Sequence, residues 1–90
     1  MKLSEARHLG KVQALGCIIC RRNGYDTPAE VHHLTAGGRR LGHDHTIPLC
    51  PEHHRGKTGR HGMGRKAFEA AYGPESVMLL DVGILINEPA

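Results

Sequence analysis

The chain has no tryptophan, one phenylalanine and two tyrosines. Aromatic side chains can therefore supply little of a core, and Leu, Ile, Val, Met, Phe and Tyr together number only 24 of 90 residues. At this size burial roughly offsets chain entropy, so a small domain adds a staple such as a disulfide, a metal or a partner. Disulfides are a poor candidate, because three cysteines cannot pair completely. Long apolar runs are also missing. The longest apolar-rich stretch, Val77 to Ile86, is interrupted by Asp81 and Gly83 and falls short of the roughly 20 residues a membrane-spanning helix needs. Met1 to Gly16 is charged and amphipathic and lacks the apolar block of a secretion signal. These absences predict one soluble domain over residues 1–90, in a reducing cytoplasmic setting with no membrane association.

Histidine is what the chain has in excess. Eight His accompany the three Cys, and seven of them fall between His32 and His61. Charge is distributed in parallel. Residues 1–30 carry five Lys/Arg and three Asp/Glu, residues 31–66 carry seven and two, and residues 67–90 carry none and four. Positive charge thus lies where the histidines lie. Arg39, Arg40, Arg55, Lys57, Arg60, Arg65 and Lys66 would give a local field suited to phosphates.

Local signals divide the chain into short elements, with no internal repeat and no low-complexity linker. A helix is expected over about residues 4–15, with Ser4 as N-cap, Glu5 in the first turn, and Leu9, Val12 and Leu15 on one face. Ala29 to Leu34 and Thr46 to Leu49 read as short strands, and the Gly- and Arg-rich Thr35 to Asp44 between them as a mobile loop. Pro51 is placed to begin a helix through His53, His54 and Arg55. Gly56 to Gly64 reads as another basic loop, and Arg65 to Tyr72 as a helix stopped by Gly73-Pro74. From Pro74 to Val82 a helix and a strand fit almost equally well.

Cys17-x-x-Cys20 and Cys50-x-x-His53 form two knuckles separated by 29 residues. Zinc takes four soft or borderline ligands, and a two-residue gap lets one tight turn present two of them to one ion. Together the knuckles predict a closed structural Cys3His zinc site. Between residues 32 and 61, His32, His33, His43, His45, His54 and His61 are left over. Successive strand residues face opposite sides, so His32 and His33 are not expected to share one role. One could bind a metal while the other addresses a water.

Val31-His32-His33-Leu34, Ile47-Pro48-Leu49-Cys50 and Cys50-Pro51-Glu52-His53-His54, together with Cys17-Ile18-Ile19-Cys20, resemble the zinc-stabilised branch of the HNH nucleases. The similarity is greatest to the phage Ref-type, RecA-dependent nucleases. Their Ala-Leu-Gly-Cys start, His-His pair, Pro-Leu-Cys segment, His-Gly and Phe-Glu-x-x-Tyr-Gly ending match Ala14 to Cys17, His32-His33, Pro48 to Cys50, His61-Gly62 and Phe68 to Gly73. The likeness runs from about residue 5 to residue 80.

This resemblance implies an α+β fold: a small, zinc-stapled ββα-metal (His-Me finger) domain with flanking helices. It implies a metal-dependent DNA endonuclease in which His33 is the general base and His32 and His54 hold the catalytic divalent ion. His45 would stand in the position of the family's central Asn, a role His43 could fill instead. His61 could bind phosphate, join the metal shell or substitute for a zinc ligand. Arg39, Arg40, Arg55, Lys57 and Arg60 would anchor phosphates. The cofactors implied are structural Zn²⁺ and a catalytic Mg²⁺, Mn²⁺ or other transition ion, since two imidazole ligands favour softer cations. The partners implied are DNA and RecA or another phage or host DNA-processing protein. The alternative is a non-catalytic zinc-containing DNA-binding module. A third reading is a protein-binding zinc domain that uses the acidic residues 67–90 as its partner surface.

Overall fold

A computed structural model describes residues 1–87 and contains six helices and four strands in an α+β arrangement. Helix α1 (Leu3–Ala14) begins two residues earlier than Ser4 capping would allow. Lys2 is the N-cap, its backbone N–H donating to Glu5 Oε1 at 3.0 Å, and Ser4 lies inside the first turn. The expectation of a Ser4 cap is thus corrected: Glu5 reaches back to the residue three before it, which ties down the start of the helix. Of the apolar face only Val12 is fully buried.

Helix α2 (Ile18–Arg22) follows at once. Strands β1 (Glu30–His33) and β4 (Thr46–Leu49) then pair antiparallel, with Glu30 opposite Leu49, His32 opposite Ile47 and His33 opposite Thr46. Pro48 fits because β4 has a neighbour on one side only, so its missing N–H costs no ladder bond. The segment read as a mobile loop instead contains a second hairpin, β2 (Thr35–Ala36) with β3 (Arg39–Arg40). Its two-residue turn is Gly37-Gly38, with φ of 58° and 76°, the left-handed pair that a tight hairpin needs and that glycine adopts without strain.

Helix α3 (Pro51–Arg55) starts at Pro51 as expected. Within the stretch read as a basic loop, one turn of helix, α4 (Arg60–Met63), is present. Periodicity could not reveal it because its packing is backbone against backbone: a Cβ at Gly59 would run into the Glu52 carbonyl, and one at Gly62 into the Gly56 carbonyl. Helix α5 spans Arg65–Tyr72, and α6 spans Glu75–Asn87, so the residues after Pro74 form a helix rather than a strand.

The core joins Val12, Ile18, Ile19, Ile47, Leu49 and Phe68 with Met78 and Val82 of α6, and Cys17 and Cys50 are buried among them. Phe68 is fully buried beside Tyr72. Glu75, within the stretch proposed as an acidic partner surface, is instead buried; residues 88–90 of that stretch lie outside the described residues. Among the described residues no helix is long and apolar enough to cross a membrane.

Candidate metal centre and active site

Both knuckles are built the same way. Cys17 caps α2 and its Sγ accepts the Cys20 backbone N–H at 3.5 Å; Cys50 caps α3 and its Sγ accepts the His53 N–H, also at 3.5 Å. A ligand at the N-cap and another three residues on therefore sit on one side of a helix start. Core packing brings the two starts together, so that His53 Nδ1 lies 3.5, 3.6 and 3.2 Å from the sulfurs of Cys17, Cys20 and Cys50, and the Cys20 and Cys50 sulfurs are 3.9 Å apart. Four-coordinate zinc, with Zn–S about 2.3 Å and Zn–N about 2.0 Å, would separate sulfurs by about 3.8 Å and sulfur from nitrogen by about 3.5 Å. The donor set and its spacing are compatible with zinc. Burial pushes the Cys17 thiol up to about 11 in the metal-free chain, which a bound cation reverses by stabilising the thiolate.

His54, next to His53 on α3, belongs to a second cluster. One ring nitrogen from each of His32, His54 and His61 falls within 4.8 Å of the others. Two of these rings are oriented by carboxylates. His32 donates from Nε2 to Glu75 Oε2 at 2.8 Å, leaving Nδ1 free, and His54 donates from Nδ1 to Glu30 Oε1 at 2.9 Å, leaving Nε2 free. Each carboxylate is held in turn by arginine. Arg60 and Arg65 flank Glu75 at 3.2 and 3.5 Å, and Arg55 grips both oxygens of Glu30 at 2.9 to 3.1 Å. Arg55 and His54 hold the Glu30 carboxyl down to about 2. Burial would raise Glu75, but the His32 hydrogen bond and the charges of Arg60, His32 and Arg65 outweigh it and leave its carboxyl below the ordinary range. His61 is brought in by α4, whose close backbone approach to α3 depends on Gly59 and Gly62. Partial burial, then the neighbouring His32 and His54, keep His61 below its usual value, which favours the neutral ring that metal ligation requires. Three nitrogen donors suit a transition ion better than Mg²⁺.

His33 and Arg40 line the same cavity of about 390 Å³ as His32, His54 and His61. His32 and His33 border the same cavity despite strand alternation, His32 buried and His33 half-buried at the end of β1. Burial, then Arg40, lowers the proton affinity of His33. His33 Nε2 lies 2.9 Å from His43 Nδ1. His45 turns its ring to Asp44 at 3.0 Å while its carbonyl accepts the Leu34 N–H. Arg39, Arg40, Arg55 and Lys57 are exposed, though the Arg55 guanidinium is engaged with Glu30 as that of Arg60 is with Glu75.

Sequence reasoning misses Glu30 and Glu75. Glu75 carries one weak signal, an acid directly after the helix-starting Pro74; nothing local marks Glu30.

Fold and site together define a small α+β protein with a Cys3His cluster that could hold a metal ion. The chain belongs to the recombination enhancement, RecA-dependent nuclease family, whose sequence model matches residues 3–84. It is therefore of a nuclease family, one of enzymes acting on nucleic acid, and the family name implies a DNA substrate, a role in recombination and a connection to RecA. No curated protein matches the chain.

Proposed function

We propose that this chain is a metal-dependent DNA endonuclease of the zinc-stabilised HNH type, with His33 as general base. The observation that carries this reading is the shared cavity: His33 lines it together with the His32, His54 and His61 cluster, and antiparallel β1 and β4 are followed by α3, the order of a ββα-metal site. Cys17, Cys20, Cys50 and His53 would hold the structural zinc; His32 and His54, joined by His61, would hold the catalytic ion.

His33 accepts a proton from water at Nδ1 as the water oxygen bonds to phosphorus and the bond to the 3′ oxygen breaks. A divalent ion held by the three imidazoles would supply charge neutralisation on the phosphate and stabilise the leaving oxygen. Arg39, Arg40, Arg55 and Lys57 provide salt-dependent, sequence-independent affinity for the phosphate backbone. His43, in contact with His33, fits the central Asn-like position better than His45, whose ring faces Asp44.

The test is cleavage of supercoiled plasmid across Mg²⁺, Mn²⁺, Co²⁺ and Ni²⁺, with RecA present and absent. Cleavage by wild type and a loss of about a hundredfold or more in His33→Ala support the assignment. Equal rates for the two proteins overturn it. DNA binding without cleavage, and without uptake of a second ion, would favour the non-catalytic module.

A further inference from the structure

We propose that His33 is held in its working tautomer by a relay running through the His43 ring to Glu5 on α1, so that His43 and Glu5 are positioning residues for proton transfer at His33 Nδ1. The proposal rests on the reading of His33 as the base. The direction of the chain is set from Glu5. Its carboxylate can only accept, and its Oε2 faces His43 Nε2 at 3.7 Å, an ion-pair separation, which favours the His43 proton on Nε2. His43 Nδ1 then carries the lone pair and accepts His33 Nε2–H at 2.9 Å, leaving His33 Nδ1 bare. One Arg40 guanidinium nitrogen lies 2.8 Å from His33 Nδ1 and 3.3 Å from Nε2, so near to both that it stands over the face of the ring. Glu5 is itself placed, because its Oε1 accepts the Lys2 N–H at the start of α1.

The arrangement fixes the ring of His33 and sets a carboxylate behind the imidazolium that forms when the water gives up its proton. Arg40 is exposed on β3, and a phosphate oxygen is a stronger partner for a guanidinium than a neutral imidazole, so substrate draws Arg40 off the His33 ring. Helix α1, far away in sequence, thereby becomes part of the site.

Glu5→Gln is the discriminating substitution. Its amide oxygen can keep the Lys2 cap while its NH₂ replaces the oxygen that faces His43 Nε2–H, setting donor against donor. His43→Asn offers Oδ1 to His33 Nε2–H, but its short amide stops well before the His43 Nε2 position that faces Glu5. On the zinc-loaded full chain, long-range ¹H–¹⁵N spectra of the histidine rings above neutral pH should show His33 protonated at Nε2 and bare at Nδ1, with that preference weakened in His43→Ala. In plasmid cleavage, His43→Ala should lower kcat by about tenfold to a hundredfold with KM nearly unchanged, and His43→Asn should recover most of the loss. Glu5→Gln should cost about threefold in wild type and nothing further in His43→Asn. A His33 protonated at Nδ1, a tautomer indifferent to His43→Ala, or additive losses in the Glu5→Gln, His43→Asn double variant would overturn the relay. If wild type cleaves nothing, the nuclease reading fails, and the ring spectra still decide whether the relay exists.

Discussion

His32 Nε2 lies 2.8 Å from Glu75 Oε2, and both side chains are only 2 % exposed. The pair joins β1 to the first turn of α6 beside the histidine cluster. A buried carboxylate is tolerated here because His32, Arg60 and Arg65 all offer it donors or charge.

Glu75→Gln should therefore destabilise the fold by about 3 kcal/mol, because Arg60 is left with a neutral partner in a buried setting. It should also loosen His32 and weaken second-ion affinity by about tenfold or more. Urea unfolding and metal titration by calorimetry measure the two effects. Unchanged values in both would mean that the pair does not support the site.

Zinc removal is expected to cost the chain its cooperative fold, since the core contains a single phenylalanine and the Cys3His cluster joins the starts of α2 and α3. Cys17→Ser or Cys50→Ser should behave like chelated wild type. Circular dichroism and thermal unfolding with and without chelator test this, and an intact transition after chelation would refute it.

Gly62→Ala separates the two metal clusters. The added Cβ meets the Gly56 carbonyl, so α4 must move away from α3 and carry His61 with it. The expected protein binds one zinc per chain, melts as a folded domain, and has lost the second ion and cleavage. Elemental analysis after dialysis counts the ions; retention of two would show that His61 is not needed.

Stability should fall as pH drops below about 6.5. His33 and His61 both have folded proton affinities lowered from the ordinary 6.5, chiefly by burial and then by neighbouring cationic groups. Below 6.5 the unfolded chain takes up protons that the folded chain still refuses, so the unfolded state gains; above 6.5 neither form binds them and this contribution is flat. In His61→Gln the decline in Tm between neutral pH and mildly acidic pH should be shallower than in wild type. The zinc knuckles are the same in both proteins, so the difference isolates His61.

Much of the fold is legible in local signals. The strands at Glu30–His33 and Thr46–Leu49, the helix starting at Pro51 and the helix over Arg65–Tyr72 all lie where expected, because alternation, Pro at N1 and Gly-Pro stops act within a few residues. Helix α6 is ambiguous in sequence for a physical reason: Val77, Leu80 and Ile84 are apolar yet exposed, so its pattern shows no clean polar face. Helix α4 escapes a sequence reading because glycine contacts leave no hydrophobic period.

Residue order alone dictates the Cys3His cluster's two halves, since Cys17 with Cys20 and Cys50 with His53 each meet within one turn of backbone. It also dictates the composition that demands a staple: few aromatics, an odd cysteine and an excess of histidine. Which histidines gather is beyond its reach. His61 joins His32 and His54 through glycine-to-backbone packing of α4, Glu75 reaches His32 from 43 residues away, and His43 rather than His45 meets the His33 ring. Those contacts depend on how helices close over β1 and β4, and ring direction depends on hydrogen-bond partners supplied by distant elements, so only the assembled chain could assign them.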